Sequence, residues 1–179
     1  MEQTKKLDFL IQSMDKISRM ESGIIAVHSE DTTIKQMLES IQQQFNVKVR
    51  EKNITLSLCD TDLHVRCDSK WTVEALGNIV DNAIKYTACG GNVQVKAEQN
   101  SFFVKIDIID DGIGIEKEEI PKIFGRFYRS LSVADQPGVG IGLFLAREII
   151  QAQKGYIKVT SKRGKGSTFS VFLPIAKKE

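Results

Sequence analysis

Residues 68–87 read DSKWTVEALGNIVDNAIKYT. Val73, Leu76, Val80 and Ile84 recur at helical spacing and mark an apolar stripe. Asp68 suits an N-cap, so the stretch predicts a helix from about Asp68 to Thr87. Its other side carries Asn78, Asn82 and Lys85, with Tyr86 at the edge. Asparagine is a poor helix former, and two of them one turn apart gain nothing from propensity. Two readings stand here. The polar side is merely solvated, or its paired amide oxygens hold a hydrated hard cation while Lys85 neutralises a phosphate.

Outward from this helix the pattern is mixed. Upstream, Thr33 and Gln36 fit a capping box for a helix that begins near Asp31 and buries Ile34, Met37, Leu38, Ile41 and Phe45. Ile54, Leu56 and Leu58 alternate as in a half-buried strand. Downstream, Gly90-Gly91 marks a turn before a strand with Val93, Val95 and Ala97 inward. A further strand, Ser101 to Asp110, puts Phe102, Val104, Ile106 and Ile108 on one face. A helix from about Gly142 to Lys154 and strands Tyr156–Ser161 and Ser167–Leu173 complete the chain. Strands and helices do not alternate strictly, which favours an α+β, two-layer α/β sandwich over a doubly wound fold. At the N-terminus, Leu7, Leu10, Met14 and Ile17 form a coiled-coil-like seam that Ile24 continues past Glu21, with Gly23 as a C-cap. With no partner helix in the chain, the seam fits a truncated bundle or homodimer contact, or else a terminal helix packed on its own domain.

Composition excludes several classes. Lys plus Arg is 25 and Asp plus Glu 23, a formal balance of +2 that argues against holding nucleic acid by bulk charge. Hydrophobic residues at 41% suit a globular domain, and 179 residues suit one domain with a short extension. No apolar run approaches the ~20 residues of a membrane span, and the start lacks the apolar core of a secretory signal. Cys59, Cys67 and Cys89 are spaced as reduced thiols rather than as a disulfide framework or zinc site.

Residues 111–142 form a long glycine-rich segment with Pro121 and Pro137, the kind of loop that is usually functional or disordered. At its start Asp110 ends a strand and Gly112 and Gly114 follow; a carboxylate there can accept from an exocyclic amine, or the motif is a tight turn. At its end PGVGIGL (137–143) opens into a helix, whose free N–H groups suit a phosphate, without the lysine of a P-loop. Between them IFGRFYR (123–129) places cations on an aromatic anchor in a segment able to move as a lid.

Taken in order, these motifs closely resemble the catalytic ATP-binding domain of sensor histidine kinases, of the Bergerat-fold ATPase superfamily, over about residues 30–175. NIVDNAIKY (78–86) is similar to the N box, DDGIG (110–114) to the first glycine box, residues 124–129 to the F box and 138–142 to the second glycine box. GSTF (166–169) matches the closing strand motif, with Ser167 replacing the commoner threonine. The resemblance implies a mixed sheet covered by helices on one face plus an N-terminal helix, with residues 1–28 as the end of a dimerisation hairpin and linker, and 29–179 as the catalytic domain. It implies that Asp110 accepts from the adenine amino group, that Gly114 lets the backbone approach the base, that Asn82 ligates Mg²⁺ beside Asn78, and that Lys85 meets phosphate with Tyr86 alongside. Arg129 and Arg126 are implied to reach the γ-phosphate, and Gly138, Gly140 and Gly142 to line the triphosphate. Thr168 would support the adenine end, and Gly112, Ile115, Tyr128, Val139, Ile141 and Leu143 would lie along the nucleotide.

Members that hydrolyse ATP typically carry Glu at the place of Asn78; Asn is no general base, which favours transfer to a protein acceptor. Neither His28, followed by Ser29, nor His64 matches the family's acceptor histidine. The implied partners are ATP, the kinase's own dimerisation domain and a response regulator receiver domain, with no nucleic acid and no membrane contact by this segment. The implied setting is cytoplasmic, within a homodimer that spans a membrane or not. Two other readings are an ATP-responsive interaction module, for which Gly125 in place of a frequent Glu leaves room, and a Ser kinase of the anti-sigma type.

Overall fold

The computed structural model describes residues 27–130 and 138–176, together with 7, 10–12, 14, 15, 18, 133 and 136. Strand β1 (Glu30–Thr33) leads into helix α1 (Ile34–Glu51). Strands β2 (Thr55–Leu58) and β3 (His64–Cys67) precede α2 (Ser69–Tyr86). Then follow β4 (Asn92–Gln99), β5 (Phe103–Asp110), α3 (Gly142–Ala152), β6 (Tyr156–Lys162) and β7 (Gly166–Pro174). The main sheet runs β2-β4-β5-β7-β6, with β2 parallel to β4 and every other pair antiparallel. It is the mixed sheet of a two-layer sandwich. Val93, Val95, Val104, Ile106, Ile108, Phe169, Val171 and Leu173 are buried on one face, in a single core with the apolar stripes of the three helices. The other face carries Phe103, Tyr156 and Phe172, with Tyr156 stacked on Phe172 at 4.3 Å.

Helix α2 has its expected caps. Asp68 accepts from the Trp71 N–H at 3.1 Å, and Thr87 closes the end. There the Lys52 ammonium donates to the carbonyls of Ile84 (2.8 Å) and Lys85 (2.7 Å), covering orphan acceptors. Burial holds its pKa below that of an exposed lysine.

Three expectations change. The Thr33 cap is present, with Gln36 N–H donating at 3.4 Å, but the residues before it are a strand: Glu30–Thr33 pair antiparallel with His64–Cys67. Phe102 is 74% exposed and lies outside β5, because the Asn100 side chain accepts from both Phe102 and Phe103 N–H groups and turns the chain there. In the N-terminal seam Leu10 packs on the core while Leu7 and Met14 are exposed; Ile17, Glu21, Gly23 and Ile24 lie outside the described residues.

Gln153 ties α3 to the start of α2. It is 4% exposed; its Oε1 accepts from the Asp68 N–H (2.6 Å) and the Thr72 hydroxyl (3.3 Å), and its Nε2 donates to the Ile149 carbonyl. Gln153→Leu strands a buried N–H. It is expected to lower unfolding free energy by about 2 kcal/mol, read as a reduced urea midpoint at unchanged slope.

Candidate functional site

A cleft of about 790 Å³, its open mouth included, lies between the end of β5, one face of α2, the 112–130 segment and the start of α3. At its floor Asp110 is 7% exposed and accepts from the Gly112 N–H at 2.9 Å and from the Ser167 backbone N–H. Burial raises its pKa above the ordinary range despite these bonds. Asp111 is different. It turns outward and accepts from the Asn92 N–H (2.9 Å) and side-chain amide (2.8 Å), which hold its pKa below the usual range. Adjacent carboxylates thus divide into one that fixes a turn and one that faces a cavity. Gly114 at φ +67° packs against the Lys162 carbonyl, where a Cβ would sit only 2.1 Å away.

Helix α2 contributes Asn82, Lys85 and Tyr86 to the lining. The Lys85 ammonium donates to the Tyr86 hydroxyl at 3.0 Å and lies against Gly138. One turn earlier, the Asn78 Nδ2 donates to the Glu74 carbonyl (3.0 Å), and Oδ1 faces Gly142, where a Cβ would come within 3.0 Å. At Asn78 this face is covered by the start of α3, while Asn82 opens onto the cleft. Gly140 lines the cleft at φ +78°, tight against the Tyr128 carbonyl.

The aromatic-arginine segment is anchored by Phe124, edge-on to Phe169 at 6.5 Å. Tyr128 donates to the Glu119 carboxylate at 3.2 Å, and the Arg129 guanidinium donates to the carbonyls of Val133 (3.0 Å) and Gln136. Both residues line the cleft, as do Ile115 and Leu143.

Other expected residues lie elsewhere. Arg126 stacks on the Phe144 ring at 4.6 Å, away from the lining. Ile141 is 1% exposed and belongs to the core, and Val139 packs against it. Thr168 pairs with Ile109 on the far side of β7, whereas Ser167, opposite Asp110, faces the cleft with Phe169. The β5–β7 register, which sets Ser167 opposite Asp110, decides that pair, and no signal within β7 itself reveals it. Ile113, Glu119, Ile123, Ser130 and Val133 also line the cleft, from irregular chain that carries no periodic signal.

Residues 67–177 match the family of histidine kinase-, DNA gyrase B-, and HSP90-like ATPases. The chain belongs to this family. Among curated relatives, the sensor histidine kinase WalK of Bacillus subtilis (strain 168) is 31% identical over 177 residues, covering 96% of this chain and 29% of that protein. The chain therefore spans under a third of this relative. A mycobacterial sensor histidine kinase, MprB, superposes with a TM-score of 0.73 at 26% identity, over 83% of this chain and 98% of that one. Histidine kinase ThkA, solved in complex with response regulator protein TrrA, gives a TM-score of 0.77 at 24% identity, over 97% of this chain and 49% of that one; this likeness speaks for the fold. The fold is that of the histidine kinase catalytic domain, a mixed five-stranded sheet with helices on one face. Among the described residues no helix is long and apolar enough to cross a membrane.

Proposed function

We propose that this chain is the ATP-binding catalytic domain of a sensor histidine kinase, with residues 29–179 as the domain and 1–28 as the end of a dimerisation hairpin and linker. The observation that carries the reading is the convergence of the buried Asp110 carboxylate and the amide face of α2 on one cleft roofed by the start of α3.

Asp110 accepts from the purine amino group. Lys85 and Arg129 meet the phosphates, Arg129 by giving up its bonds to Val133 and Gln136. The Asn82 amide oxygen, which lines the cleft beside Lys85, fits a hard cation shared with the nucleotide's own phosphates, with Asn78 one turn away. Mg²⁺ held there would offset phosphate charge. Asn78 supplies no base, so the chain's part is positioning and charge neutralisation. The γ-phosphorus bonds to an imidazole nitrogen of an acceptor histidine, its bond to the β–γ bridging oxygen breaks, and ADP leaves. The acceptor lies on the kinase's own dimerisation hairpin, within a homodimer. The phosphoryl group then passes to a response regulator receiver domain in the cytoplasm.

His28 and His64 are not acceptors in this reading. The His28 backbone N–H donates to Asp68, and His64 pairs with Asp31 across the β1–β3 ladder. With Mg-ATP and a separately made hairpin, acid-labile label is expected on the hairpin and none on this chain after denaturation. Label retained on the chain would overturn the acceptor assignment. Acid-stable phosphoserine on a partner would support the anti-sigma type, and no transfer with ATP bound would support an interaction module.

A further inference from the structure

Ser161, one residue before the end of β6, is not among the residues lining the cleft, yet its hydroxyl holds three partners. The Ile115 N–H donates to it at 2.8 Å, it donates to the Gly166 carbonyl at 2.8 Å, and the Ser167 hydroxyl lies 3.0 Å away. A serine hydroxyl has one proton and two lone pairs. The Gly166 carbonyl can only accept, and it takes that proton. The Ile115 N–H can only donate, and it fills one lone pair. The Ser161–Ser167 bond then has to use the proton of Ser167.

Ser167 is left with lone pairs alone to show the cleft, beside the Asp110 carboxylate that its own backbone N–H binds. Two acceptors side by side suit an amino group, which has two hydrogens to give directly or through a water. A 6-oxo purine meets both with a further acceptor, and buried acceptors left facing one another are costly.

We infer that Ser161 is a positioning residue: it orients the Ser167 hydroxyl as an acceptor and so sharpens the preference for a 6-amino over a 6-oxo purine nucleotide. This rests on the proposed ATP reading of the cleft.

The probes are ATP and inosine triphosphate, which carries a 6-oxo group in place of the amine, titrated calorimetrically. Ser161→Ala releases the Ser167 proton, so that Ser167 can turn and donate to the oxo group. The ATP-over-inosine preference is expected to fall about tenfold, the worth of one hydrogen bond. Ser161→Thr keeps the hydroxyl and is expected to restore the preference. Ser167→Ala is expected to lower it too, with no further drop when Ser161→Ala is added. Equal weakening of both nucleotides in Ser161→Ala, or an unchanged ratio, overturns the inference. If Ser161→Ala melts early, the near-isosteric Ser161→Cys, whose thiol is a weak hydrogen-bond partner, gives the ratio that decides in the same way. Wild-type protein that binds neither nucleotide overturns the underlying reading instead.

Discussion

Asp110→Asn is expected to weaken ATP binding by about a hundredfold or more while the protein stays folded. The carboxylate is buried at the strand end and accepts from two backbone N–H groups, so its position is set before any nucleotide arrives. Asparagine keeps an oxygen for Gly112. Its amide must turn N–H toward either the cleft or Ser167, and in the cleft it meets another N–H. Folding tolerates the change, because burial of the charge already disfavours the ionised form. The sign in pH follows. A folded-state pKa above the ordinary 3.8 means this group's stabilising contribution is present at low pH and lost as pH rises through the raised value. At neutral pH the fold carries an unwelcome charge that asparagine removes. Binding runs the other way: it needs the carboxylate, so wild-type affinity should begin to fall on acidification earlier than for an exposed aspartate. Calorimetry of both variants across mildly acidic pH checks this; equal affinity for ATP in Asp110→Asn would sink the adenine assignment.

Asn82→Ala is expected to abolish the magnesium-dependent part of ATP affinity and to reduce transfer to an added hairpin by about a hundredfold to a thousandfold. Asn82 lines the cleft from α2, one turn from Asn78. Alanine is the better helix former, so the melting temperature should not drop. A loss of function at undiminished stability separates a ligand role from a structural one. Asn82→Asp, which keeps an oxygen, should retain cation dependence. Titrations with magnesium and with a chelator give the readout, and an unchanged magnesium dependence in the alanine variant would remove Asn82 from the cation site.

The features legible in the sequence were those with local causes. Asp68 and Thr87 bound α2 because capping is decided within a few residues, and the helical period exposes its core stripe. Strand β1 has no local signature, because its partner lies thirty-odd residues away in β3, and four extended residues carry no period of their own. The phase of β7 is likewise set from outside: Ser167 faces the cleft because it pairs with Asp110, which the string of residues alone does not state. Arg126 and Arg129 look alike in sequence. Phe144 beneath one and the Val133 and Gln136 carbonyls near the other divide them. Glu119 and Ile123 reach the cleft from turns whose course depends on tertiary contacts.

Strand β7 comes last among the described strands yet lies inside the sheet, between β5 and β6. A nascent chain emerging from the ribosome can already hold Asn82, Asp110 and Gly140 while Ser167 and Phe169 are still missing from the cleft, and β5 has an unpaired edge. The nucleotide cleft is therefore completed only when β7 has been made, and stalled products ending before about residue 166 should be inert and prone to clump through that bare edge.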